Sequence, residues 1–467
     1  MAMKTDMLNG HAGVVVLKLT LPMIAAAMSI VAFNLVDTYF LGMLGATELA
    51  AMGFSFPVVL VSGSLAMGIG IGTSSSVSNA LGRGDRDQAK RYVTHAHLLA
   101  FTAGVALAIL GLVTIDPFFR ALGAGPAILP LIREYVTVWY IGLPFVLVPM
   151  VGQNVIQATG DTRTPAMILS FAVLLNIGLD AGLIFGLGPF PELGIAGAAL
   201  ATVLARGSSF VLVGLVLWRR ERMYSARIGA LRDVLRSWGH VLYVGVPAVA
   251  INVLQPVSIG VLTRLVSVFG TAAVAGFGAA TRLESFGIVF MIALSMVFTP
   301  FTGQNFGAGK PQRIRRGFRF GALYCVSWGA LVLAVFLLVA PFLAGLFSSD
   351  AEVVGVTSEY LRVLAFSYAF QGIVLLTSAA FNGVRRPAEA FGVSFIRLIV
   401  FYIPLAAGGR AVFGLSGIFW GVALANVLSG IIAFIWFHRT MARVIEAMPA
   451  EQADYVGSVA VVAGENG

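Results

Sequence analysis

The sequence predicts an all-α polytopic membrane protein, with about 12 transmembrane helices in two six-helix lobes related by a parallel internal repeat. The first ground is composition. Hydrophobic residues make up 58% of the 467 residues and charged residues only 11%, with a mean hydropathy of +0.93, whereas soluble domains carry roughly 25% charge. The second is spacing: apolar runs recur along the whole chain, and its length accommodates a dozen spans of about 20 residues with short loops. The third is self-similarity, since the first half superimposes on the second after a shift of about 225 residues.

Spans are predicted near 15–42, 47–73, 93–115, 131–156, 165–186 and 194–217, and again near 240–265, 272–300, 318–340, 356–380, 388–409 and 415–437. The N-terminal stretch has no small-residue cleavage site after an apolar core, so no removable signal peptide is expected. The 54 glycines suit closely packed spans. A lone cysteine, Cys325, excludes an internal disulfide and any cysteine-based metal cluster, and the five scattered histidines show no zinc spacing. Basic residues gather in loops after even-numbered spans: Arg83, Arg86, Lys90 and Arg91, then Arg219 to Arg236, then Lys310 to Arg319. The positive-inside rule then places both termini in the cytoplasm. Topology, rather than a nucleic-acid partner, accounts for the pI of about 9.9. The expected regions are a cytoplasmic N-terminus (1–14), an N-lobe (15–217, spans 1–6), a cytoplasmic linker (218–239), a C-lobe (240–437, spans 7–12) and a cytoplasmic tail (438–467) disordered at its end. The linker, WRRERMYSARIGALRDVLRSW from Trp218, suits either an interfacial amphipathic helix or a solvated loop.

The repeat can be followed motif by motif. Pro22 falls on Pro247, and LGATELAAMGF from Leu44 falls on FGTAAVAGFGA from Phe269. ALGRGDRDQAKR from Ala80 falls on NFGAGKPQRIRR from Asn305. Glu134-Tyr135 falls on Glu359-Tyr360, and ALATVL from Ala199 meets ALANVL from Ala423. An even number of spans per repeat gives both halves one orientation, an arrangement that recurs in secondary transporters with sites in or between the lobes.

Two aspartates stand inside predicted spans, Asp37 and Asp180. An Asp at a helix centre costs roughly 3 kcal/mol on insertion scales, so such residues face a cavity or a partner and belong to the machinery of transport. After the repeat shift the second half has no acid at either place, so a structural role common to both halves does not explain them. Asn34 shares a helix face with Asp37, as Asn176 does with Asp180, and Thr202 in span 6 adds a hydroxyl. One polar pocket so composed has two uses. Its carboxylates can bind and release H⁺, or the all-oxygen set Asp37, Asn176, Asp180 and Thr202 can hold a hard cation such as Na⁺. The structural alternative is an Asp capping a broken helix or paired with Arg206.

Pro22 removes a backbone hydrogen bond in span 1 and can kink it, with a role in bending the span when Asp37 changes protonation as a further expectation. Tyr140, Gln153, Asn154 and Gln157 in span 4 are candidate linings of a substrate cavity, with helix-end capping as their plainer role. Arg282 and Glu284 in span 8 are two residues apart and do not face each other; each needs another partner, in the lobe or on the substrate. No nucleophile–base pair marks an enzyme.

These residues resemble those of the multidrug and toxic compound extrusion (MATE) family of transporters over about residues 13–440. The resemblance rests on VDTYFLGMLG, ALGRGDRDQAKR, GDTRTP, NIGLD, GIAGAALAT, GFGAATRLESF and NFGAGKP, in that order. It implies two six-helix lobes forming a V around a central cavity, exchange of substrate for H⁺ or Na⁺ without an organic cofactor, and a monomer in a bacterial inner membrane. It also implies that Asp37, Asn176, Asp180 and Thr202 are the N-lobe acidic site and that Pro22 is the kinking proline. Span 7 carries Gln255-Pro256 and span 10 carries Gln371 where sodium-coupled members have acids. The chain therefore resembles the branch of DNA-damage-inducible protein F, which leans the coupling ion toward H⁺.

The function so implied is export of amphipathic or cationic drugs and toxic organic compounds. The alternative is a flippase for a lipid or lipid-linked oligosaccharide, a reading that Arg264, Arg282 and Arg397 would serve through phosphate contacts.

Overall fold

The structure is a computed structural model that describes residues 4–446. The tail expected to be disordered, 447–467, and the side chain of Asn34 lie outside the described residues. The chain is helical in the order α1 (Ala12–Leu44), α2 (Ala46–Gly82), α3 (Arg86–Ala121), α4 (Leu129–Ala158), α5 (Arg163–Phe185), α6 (Gly194–Leu215), α7 (Leu231–Ser267), α8 (Thr271–Gly307), α9 (Pro311–Gly345), α10 (Ala351–Ala365), α11 (Tyr368–Gly383), α12 (Pro387–Phe395) and α13 (Ile403–Glu446). Short π-helical segments, Val216–Arg220 and Ile396–Tyr402, extend α6 and join α12 to α13.

Among the described residues ten helices are long and apolar enough to cross a membrane, or eleven when α10 and α11 count as one bent span. The last of the ten runs over Pro387–Glu446, 60 residues, about three times what a span needs. It leaves helical geometry at Phe413 and Gly414, where Gly414 takes φ 63°. Divided there, it supplies the last two spans and brings the count to the twelve that the sequence predicts. Large apolar side chains such as Val113 and Leu338 lie exposed on outer faces, as lipid-facing helices require.

Two details differ from the expected spans. The tenth is not continuous: α10 and α11 meet at a 59° bend. The Ser367 hydroxyl donates to Leu364 O at 2.8 Å and competes with the helical ladder at that point. In the linker, residues 221–230 form no helix, so the amphipathic expectation narrows to the first turns of α7.

The chain forms two compact units. Unit 1 comprises Met1–Thr5, Leu19–Val77 and Arg86–Val257; unit 2 comprises Asp6–Lys18, Ser78–Asp85 and Ser258–Gly467. In unit 1, α4 packs on α3 and α6, and α5 packs on α6. The beginning of α7 joins this unit: Tyr92 bonds His240 Nδ1 at 2.6 Å, His95 Nδ1 bonds Ser237 at 2.8 Å, and Trp238 Nε1 donates to His95 O at 2.9 Å. In unit 2, α11 packs on α8, α9 and α13, and α10 packs on α8 and α9.

Close approach of α2 to α7 in unit 1 depends on two glycines one turn apart. A Cβ on Gly68 would overlap Val249, and one on Gly72 would strike the Val241 carbonyl oxygen. A backbone carbonyl cannot rotate away, so Gly72→Val should destabilise unit 1 by about 1–3 kcal/mol. A drop of several degrees in the detergent melting temperature checks this, and an unchanged value refutes it.

The GDTRTP turn between α4 and α5 anchors a buried polar network in unit 1. Gly160 takes φ 91°, which frees its carbonyl to accept from Thr5 N at 3.0 Å. Asp161 accepts from the Thr164 amide at 3.0 Å and hydroxyl at 2.6 Å, and it pairs with Arg220. Arg220 also reaches Thr164 Oγ1 at 2.8 Å and Glu221 Oε1 at 3.3 Å. Lys4 Nζ meets the other Glu221 oxygen at 2.5 Å, and Arg86 donates to the Glu221 carbonyl at 2.8 Å. Burial alone would push the Asp161 carboxyl up. The Thr164 and Arg220 hydrogen bonds, with the guanidinium charge, together hold it below the ordinary carboxylate value.

Candidate functional site

The acids of unit 1 meet through the packing of α5 on α6. Within α5, NIGLD places Asn176 and Asp180 one turn apart on a face turned inward. Gly186, in the left-handed conformation at φ 68°, ends the helix. Asp180 and Asn176 are 0% and 1% exposed, Thr202 on α6 5%, and Asp37 on α1 8%. Asn176 Nδ2 donates to Thr202 Oγ1 across a long 3.5 Å, while the Thr202 hydroxyl itself donates to Ala198 O at 3.1 Å. Asp37 and Asp180 stand within electrostatic reach of each other, and Tyr135 of α4 within reach of both. Both oxygens of Asp180 are buried with no hydrogen-bond partner among the described residues.

Pairing with a cation does not explain this arrangement. The ion pairs of the described residues leave Asp37 and Asp180 unpaired, and Arg206 instead lies over the Phe33 ring at 5.8 Å. Neither acid caps a helix end, since each stands well inside its helix. Pro22 lies inside α1, which continues through it.

The other candidates divide. Tyr140 is buried with its ring against Gly111 of α3, as a packing residue would be. Asn154 returns its amide to Met150 O of its own helix at 2.9 Å and lies against Gly70 of α2. Gln157 is buried near the end of α4, and Gln153 is buried with Nε2 unpartnered among the described residues. In unit 2, Glu284 accepts a hydrogen bond from Tyr360 at 2.7 Å, and Arg282 is exposed. Tyr135 was legible in the sequence only as a marker of the repeat; that it stands beside the acids comes from the packing of α4.

The sequence profile of the MatE family matches residues 22–181 and 247–407. It begins at Pro22 and again at Pro247, the pair that the repeat superimposes. A protein of Shewanella oneidensis described as an FAD transporter is 36% identical over 448 residues, covering 96% of this chain and 98% of that protein. A probable multidrug resistance protein NorM of Thermotoga maritima is 26% identical over 91% of this chain and 90% of its own length. The crystal structure of the Vibrio cholerae MATE transporter VcmN in its bent form is 28% identical with a TM-score of 0.87, covering 92% of this chain and 97% of that one. With the family profile in both halves and a full-length relative at 36% identity, the chain belongs to the MATE family of multi-pass membrane transporters, secondary-active carriers rather than enzymes.

Proposed function

We propose that this chain is an antiporter of a bacterial inner membrane, with both termini cytoplasmic, that exports amphipathic organic compounds in exchange for H⁺ at Asp37 and Asp180. The observation that carries the reading is the buried Asp180 carboxyl with both oxygens unbonded. A bare carboxylate so placed would be several kcal/mol unfavourable, whereas a protonated one is neutral. A second acid within electrostatic reach strengthens that preference, because two neighbouring carboxylates resist simultaneous ionisation. Na⁺ is served less well, since the Asn176 amide already donates to the Thr202 hydroxyl and occupies one of its lone pairs.

Everted membrane vesicles test the reading. With the lumen acidified by respiration, adding ethidium outside should release lumenal protons from vesicles carrying the wild type. Exchange left intact by both Asp37→Asn and Asp180→Asn would remove these acids from the mechanism. Efflux driven by sodium alone, with no proton flux, would overturn H⁺ coupling.

An acidic pocket suits cationic drugs, and the Thermotoga maritima relative is described as a probable multidrug resistance protein. A second reading of the cargo, flavin adenine dinucleotide, is favoured by the relative that shares 36% identity along 96% of this chain. The same vesicles distinguish the two by whether FAD or ethidium releases protons.

A further inference from the structure

Unit 2 contains a second buried polar pocket, built in part from the positions that the repeat pairs with Tyr135 and Thr202 of unit 1. Tyr360 is the repeat partner of Tyr135, and Asn426 is that of Thr202. In unit 1, Tyr135 stands beside two acids and Thr202 accepts from Asn176. In unit 2, the Tyr360 hydroxyl donates to Glu284 Oε2 at 2.7 Å, and Asn426 Oδ1 accepts from Arg397 Nε at 3.1 Å. Asn426 Nδ2 in turn donates to Ser367 Oγ at 3.0 Å. The scaffold positions are kept, but the acid comes from α8 and a cation is added by the π-helical segment.

The pocket is incomplete. Arg397 and Glu284 lie within electrostatic reach, yet no ion pair joins them among the described residues. Arg397 is 7% exposed and uses one of its five N–H donors. Tyr368, at the start of α11, is fully buried, and its hydroxyl has no partner among the described residues; it lies within reach of Glu284 and Tyr402. A buried guanidinium that makes no direct ion pair and a buried phenol without a partner are both unfavourable. One group answers both: an anion with several acceptor oxygens, which a guanidinium receives in bidentate fashion.

Building on the flavin-dinucleotide reading above, we propose that this pocket docks the diphosphate of the exported dinucleotide on Arg397 and Tyr368, against the opposing charge of Glu284. The titratable and charged groups facing Glu284 are Tyr360 of α10, Tyr368 of α11, and Arg397 and Tyr402 of the π-helical segment. Glu284 is the one acid among them, so its carboxylate is the group that opposes an anion on Arg397.

Calorimetric titration of FAD and of uncharged riboflavin into the purified full-length protein tests this. Wild type should bind FAD more tightly than riboflavin. Arg397→Gln should weaken FAD at least about tenfold at an unchanged melting temperature, and Arg397→Lys should fall between. Glu284→Gln should tighten FAD, because it removes the charge that opposes the diphosphate. If Arg397→Gln destabilises the protein, Arg397→Lys and Glu284→Gln carry the test. Equal affinity for FAD and riboflavin, or FAD binding indifferent to these substitutions, would make the pocket a water-bridged structural pair and overturn the proposal while the flavin reading stands. Absence of FAD binding by the wild type would overturn both.

Discussion

Asp180→Asn is expected to reduce substrate-driven proton exchange to background, a loss of well over tenfold, while leaving the melting temperature unchanged or higher. The two outcomes separate function from folding. Asp180 is fully buried and bonds nothing through either oxygen among the described residues, so its replacement breaks no hydrogen bond or ion pair seen there and removes a group that folding must desolvate. The amide has nearly the same shape and cannot carry the proton. Asp37→Asn should give a similar loss, and the double variant little more, because residues that act as one unit are not additive. Exchange is read in everted vesicles and stability by melting in detergent. A variant that exchanges normally, or one that fails to fold, would contradict the assignment.

Glu221→Ala should be the most destabilising single change outside the spans, at about 3 kcal/mol, the lower end for breaking a buried ion pair, because Lys4 and Arg220 are partly exposed. It strips a buried carboxylate from both cations at once. The same network predicts an acid response with a definite sign. The folded-state value of Asp161 lies below its unfolded value of about 3.9. Its stabilisation is therefore present above that unfolded value and lost as pH falls through the folded one. Melting temperatures of wild type and Asp161→Asn should converge on acidification below about pH 4. Parallel curves would show that Asp161 does not contribute in this way.

The fold was largely legible because lipid imposes a simple rule: runs of about 20 apolar residues become helices, and few alternatives exist. Bends were less legible. The break between α10 and α11 has neither Pro nor Gly at its vertex, and it arises from a serine hydroxyl whose neighbours come from α13. The same division holds at the candidate sites. Asn176 and Asp180 could be placed together because helical spacing is local, whereas Tyr135 beside them could not, since α4 brings it from elsewhere in the sequence. Comparing the halves position by position found no acid in the second at the places of Asp37 and Asp180, and none is there. The acid of unit 2 enters from α8, where the repeat shift points to Val59 in the first half. A register comparison does not see a charge that has moved to another helix.

The bend between α10 and α11 also acts as a lever. Tyr360 stands on one arm and Tyr368 on the other, with Phe366 and Ser367 at the fulcrum. Tyr360 is about 10 Å from that fulcrum at 1.5 Å rise per residue. Closing or opening the 59° angle by about ten degrees therefore carries its phenol roughly 2 Å, more than the width over which a hydrogen bond is made or lost. The gap between the two hydroxyls is thus set like the jaws of a caliper, by one angle at a serine.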